Sequence, residues 1–134
     1  MMEVLIFVSI LSLFFVTAAA ITTASLRNLK VQEHKILATR YAEELLEWLR
    51  GEKEANWNTF TNHTDTYCFN SSPITSWESP GNCLGYSLNN LYKREVTLTV
   101  QGTPSQVNVS ITVEWQETGN TYKVPLNTIF TIWE

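Results

Sequence analysis

The sequence predicts an α+β protein, with one long amino-terminal helix packed on a small three-stranded antiparallel sheet. Three observations carry that reading. Residues 1–50 contain neither glycine nor proline. Their apolar side chains first run without interruption and then recur at helical spacing. Residues 93–134 instead alternate apolar and polar with a period of two. The expected organisation is an apolar helix half, 1–26, an amphipathic helix half, 27–54, and a globular head, 55–134. The head divides into a connecting loop, 55–92, and the sheet, 93–134.

The first helix half is uncharged from Val4 to Leu26, and Glu3 is the only ionisable side chain before Arg27. That run exceeds the roughly 20 residues a membrane-spanning helix needs. Beyond Arg27, Leu26, Leu29, Ile36, Leu37, Tyr41, Leu45, Trp48 and Leu49 fall at spacings of three and four or small multiples of them. A continuous rod of about 75 Å follows from 1.5 Å per residue. Its expected end is Arg50-Gly51, with glycine as the C-cap and Arg50 on the negative end of the dipole. Arg40 with Glu44, and Glu47 with Arg50, are spaced to pair along the surface. Glu43, Glu44, Glu47, Glu52 and Glu54 read as a solvated acidic face first and a contact surface second.

An apolar amino terminus also fits a cleavable signal peptide, with Ala18-Ala19-Ala20 as a tolerable cleavage site. Nothing basic precedes the apolar run, however, and amphipathic helix follows directly. A single-pass anchor accounts for the run but leaves Glu3 as a carboxylate that is costly in hydrocarbon unless it meets the interface or a cation.

In the connecting loop Pro73, Pro80, Gly81 and Gly85 interrupt the chain, while Trp57, Phe60, Tyr67, Phe69, Trp77 and Tyr86 offer anchors. An ordered loop pinned by aromatics is expected there. Cys68 and Cys83 suit a disulfide on an extracytoplasmic head, and two buried free thiols are the alternative. A metal site drawn from Cys68, Cys83 and His63 has no support from spacing. Asn62, Asn70 and Asn108 each begin an Asn-x-Ser/Thr triplet, a number that chance supplies in a chain so rich in Asn, Ser and Thr.

In the sheet Val96, Leu98 and Val100 face one way, as do Val107, Val109, Ile111, Val113 and Trp115 across a link from Gly102 to Ser105. Gly119-Asn120 turns the chain into a third strand, Tyr122 to Trp133. Pro125 places that strand at an edge or on a bulge, and the alternation slips between Leu126 and Ile129. The apolar sheet face then lies across the second half of the helix.

Chemistry is sparse. The formal net charge is -4 with no basic stripe, so nucleic acid is not an expected partner. No HExxH, paired CxxC, GxSxG or phosphate-binding glycine loop occurs, so no catalytic residues, cofactor or metal are expected.

Met2-Glu3-Val4-Leu5-Ile6, followed by the apolar run and the amphipathic helix, resembles the amino terminus of mature type IV pilins and pseudopilins. The likeness covers the first fifty residues or so, and for the head it is architectural only. Glu3 matches the family's glutamate but stands two positions nearer the start. Two further departures are a cysteine pair that precedes the sheet and a rod without the family's usual proline. The resemblance implies a prepilin peptidase that trims a leader and methylates the new amine, a wait in the inner membrane, and passage through a pilus assembly platform. It implies a helical homopolymer, the chain's partner being itself. Val4, Leu5, Phe7, Val8, Leu11, Phe14 and Phe15 would pack the filament core, and Glu3 would meet the Met1 ammonium of a neighbour to set the axial register. A minor pilin, a pseudopilin of a secretion or DNA-uptake machine, and a membrane-anchored binding module remain open alternatives.

Overall fold

The computed structural model describes residues 2–102 and 106–132. Its elements are helix α1 (Met2–Ala55), a single helical turn α2 (Trp57–Phe60), and strands β1 (Thr66–Cys68), β2 (Tyr92–Gln101), β3 (Gln106–Glu117) and β4 (Asn120–Thr131). The chain divides into two compact units, Met1–His34 and Lys35–Glu134.

In the first unit the helix carries apolar side chains on every side, and none of its spanning-length stretch is buried. It is long and apolar enough to cross a membrane. Hydroxyl side chains do not break it, because they bond back to the helix. Thr17 Oγ1 donates to the carbonyls of Leu13 and Phe14, Thr22 to Ala18 and Thr23 to Ala19.

In the second unit the buried helix positions are Ala38, Ala42, Leu45 and Leu49, flanked by the partly buried Leu37, Tyr41, Leu46 and Trp48. The expected stripe is therefore shifted. Ile36 is exposed, since it lies about 200° around the helix from Ala38. The two alanines are fully buried on that face, seven residues before Leu45 and Leu49 respectively. The helix also continues one turn past its expected stop, with Gly51 inside it. A helical glycine costs about 1 kcal/mol, and tertiary contacts of the extra turn offset it. Glu52 Oε2 accepts from Trp77 Nε1 at 2.9 Å, and Lys53 Nζ lies 5.6 Å from the Phe130 ring centroid. Asn56 then leaves the helix in extended conformation and caps α2, its side chain accepting from Thr59 N–H.

The sheet has four antiparallel strands in the order β1-β2-β3-β4, one more than expected. The addition is β1, taken from the connecting loop, which pairs Thr66, Tyr67 and Cys68 with Thr97, Val96 and Glu95. Three residues with one inward side chain are too short to display alternation. Along β2 and β3 the inward positions are Tyr92, Arg94, Val96, Leu98 and Val107, Val109, Ile111, Val113, Trp115, all buried. A two-residue hairpin joins β3 to β4 with Thr118 and Gly119 both at positive φ, so the turn sits one residue earlier than Gly119-Asn120. Residues 103–105, in the link between β2 and β3, and Trp133 lie outside the described residues.

Strand β4 is an edge, and Pro125 faces Thr112 within it. Its register with β3 is unbroken from Asn120 to Thr131, without a bulge. The slip in the sequence is a change of composition alone. Thr128 takes an inward position beside Phe130, and Ile129 is turned outward.

Candidate assembly surfaces

The sequence places its candidate residues on the helix of the first unit, and all the described ones are exposed. Val4, Leu5, Phe7, Val8, Leu11, Phe14 and Phe15 keep between 43 and 71 % of their surface. Glu3 is exposed in the first helical turn, where a carboxylate complements the positive end of the helix dipole. Met1 lies outside the described residues. An exposed apolar face this extensive costs free energy in water, at about 25 cal/mol per Å², until lipid or another protein surface covers it.

The second unit builds a different kind of site around its connecting loop. Cys68 and Cys83 form a disulfide, with Cα atoms 4.9 Å apart. That bond removes both sulfurs from the metal set drawn with His63, whose ring stacks on Trp77 at 3.8 Å. Trp77 is the hub of the aromatic cluster. Trp48, Phe60, His63, Tyr67 and Phe69 all have ring centroids within 6.1 Å of it. The loop is therefore ordered by aromatic packing, as its composition suggests.

Arg94 is the residue that sequence reasoning missed. It is wholly buried on the inward face of β2 and donates from all three guanidinium nitrogens. Nε donates to Phe69 O at 2.8 Å, Nη2 to Ser71 O at 2.8 Å, and Nη1 to both Tyr41 O at 2.7 Å and Glu44 Oε2 at 2.9 Å. Burial pushes its pKa below the ordinary arginine value, and the hydrogen bond and charge of Glu44 oppose that. The signal was present as a charged residue in the inward series Tyr92, Arg94, Val96, Leu98. Glu44 consequently turns to Arg94 and Ser72 and forms no ion pair with Arg40, while Glu47 pairs with Arg50 at 2.6 Å as spaced. Glu44 and Glu52 thus leave the solvated acidic face for tertiary contacts.

Asn70 completes the clamp. Its Nδ2 donates to Gly85 O and Ser87 Oγ, and its Oδ1 accepts from Arg94 N–H at 3.0 Å. Of the three triplet asparagines this one has its amide hydrogens occupied. On the outer face of the sheet Lys93 Nζ lies 3.2 Å from Glu114 Oε1, which also accepts from the Tyr86 hydroxyl. That bond holds the Tyr86 pKa above its usual value. For Lys93, burial works downward, but the hydrogen bond and charge of Glu114, helped by Glu95, outweigh it and hold the pKa above the lysine norm.

No family model matches the chain, no curated protein is detectably similar to it, and no solved structure matches it.

Proposed function

We propose that this chain is the structural subunit of a filament of the type IV pilin class. It polymerises through its amino-terminal helix, with the β head outside. The observation that carries the reading is the exposed apolar stretch of α1, uncharged from Val4 to Leu26, with one carboxylate, Glu3, at its start. A lipid bilayer covers the apolar part before assembly, but it gives that carboxylate no partner in hydrocarbon. A bundle of such helices does both, because a neighbour offset along the filament brings its terminal ammonium to Glu3. In a dry core either charge left alone costs several kcal/mol, so the pair fixes the register. The protein then passes from the inner membrane, after processing by a prepilin peptidase, through an assembly platform into an extracellular pilus.

Shearing cells tests the reading. A pilin enters the sheared fibre fraction, whereas a membrane-anchored binding module stays with the membranes. Glu3→Ala should leave the head folded and deplete the fibre fraction. Normal fibre yield from cells carrying only that variant would remove the register role.

A further inference from the structure

Two open depressions in the second unit meet at Asn70 and Ser87. One, of about 410 Å³, is walled by Glu78, Ser79, Pro80, Asn82 and Leu84. The other, of about 430 Å³, is walled by Tyr41, Ser72, Leu88 and Asn89. Each is in the size range of small-molecule sites. Their shared wall is fixed. Asn70 donates to Gly85 O at 3.1 Å and to Ser87 Oγ at 2.8 Å, and it accepts from Arg94 N–H. The bridge between Cys68 and Cys83, and the bond from Gly81 N–H to Thr66 O at 2.7 Å, hold the segment that carries Asn82 and Leu84. The shape therefore exists before a ligand arrives, which lowers the ordering cost of binding.

The lining selects a chemistry. Glu78 is the only charged side chain that lines either depression. An anion finds no cation there, and one carboxylate without a second beside it does not make a divalent-cation site. The remaining polar lining is hydroxyl and amide, groups that both donate and accept. The side chains of Ser79, Asn82 and Asn89 are exposed and form no hydrogen bond with the described residues. Beside them Leu84 stands fully in solvent. A pyranose ring presents the matching set, with hydroxyls that donate and accept around its edge and an apolar C–H face. Carboxylates accept readily from hydroxyls, as Glu78 Oε1 already does from Ser71 Oγ at 2.9 Å. An extended neutral peptide instead offers one donor and one acceptor per residue, a spacing that suits a strand edge.

We propose that the two depressions bind a neutral saccharide, with one sugar unit against Glu78, Asn82 and Leu84 and the next beside Asn89. The site lies within the second unit and does not depend on the filament reading.

The test uses the full chain in a zwitterionic detergent, since glycoside detergents would compete. Cellobiose, lactose, maltose and N,N′-diacetylchitobiose are titrated while the backbone amide resonances are followed. At least one should give saturable shifts in segments 68–72 and 78–89. Ser79→Ala and Asn82→Ala remove side chains that hold nothing else in the fold, and each should weaken that binding about tenfold. Asn89→Ala should weaken the disaccharide and leave the methyl glycoside of its single unit unchanged, while Thr121→Ala on β4 should change neither. No saturable shift with any of the four sugars, or shifts that the Ser79 and Asn82 variants leave intact, overturns the site. Equal or tighter binding of the uncharged peptide acetyl-Ser-Gly-Ser-Gly-amide overturns the saccharide assignment. An Asn89 variant that binds the disaccharide like the wild type overturns the part given to the second depression.

Discussion

The guanidinium of Arg94 and the carboxylate of Glu44 lie 2.9 Å apart, joining β2 to helix α1 across fifty positions of sequence. Arg94 is fully buried and the Glu44 side chain is one-third exposed, so one partner still draws on water. The same arginine also satisfies the carbonyls of Tyr41, Phe69 and Ser71. Arg94→Met removes all of these bonds at once and should cost about 3–5 kcal/mol, the range for breaking one side of a buried pair. Arg94→Lys should rescue little, because a point charge cannot reproduce the planar fork. Glu44→Gln keeps an acceptor and should cost less than either. Urea melts of the full chain in detergent check the order.

Cys68→Ala opens a loop of sequence separation 15. In the chain-entropy model such a bridge is worth about 3 kcal/mol, so a loss of roughly 2–4 kcal/mol is expected. The wild type in reductant should melt like the variant in air. Melting that is insensitive to reductant would contradict the role given to the bridge.

Alkaline pH should weaken the outer face of the sheet. Tyr86 and Lys93 have folded pKa values raised above their ordinary 10.0 and 10.5, so both keep their protons longer in the folded chain than in the unfolded one. Their stabilisation is fully present below pH 10 and declines as pH rises through and beyond those values. Glu114→Gln removes the anion responsible and should flatten the alkaline limb of a melting-temperature profile while leaving the neutral region less changed.

Pro125 lies on β4, whose far side pairs with no other strand among the described residues. Proline offers no N–H to an incoming strand. Pro125→Thr should leave stability within about 1 kcal/mol but promote association that grows with concentration and is read by light scattering. Unchanged scattering would show that the edge is guarded by something else.

The helix of the first unit should survive assembly. Thr17, Thr22 and Thr23 bond to carbonyls a turn earlier without interrupting it. Unwinding that stretch in a dry core would strand backbone groups at roughly 1–3 kcal/mol each. A filament reconstruction should therefore show helix through Thr17 to Ser25, with at most a gentle bend. An extended stretch anywhere between Val4 and Leu49 would refute the expectation.

The sequence by itself determined the long helix and the alternating strands, and it narrowed Pro125 to an edge or a bulge, while the structure decided for the edge and for the bridge between Cys68 and Cys83. Each sequence signal is written in local chemistry: an absence of glycine and proline, a period of 3.6 or of two, a missing N–H. It also marked Glu3, since a lone charge in an apolar run stands out without any structure. Only the tertiary structure decided the rest. Strand β1 exists because β2 offers Tyr67, between Thr66 and Cys68, a partner in Val96, and three residues have no periodicity of their own. The helix passes Gly51 because Trp77 and Phe130 hold its last turn. Ala38 and Ala42 reach the core because they share one helix face with Leu45 and Leu49. Arg94 is buried because Glu44 and three carbonyls converge on it from segments distant in sequence, and convergence of that kind leaves no trace in local spacing.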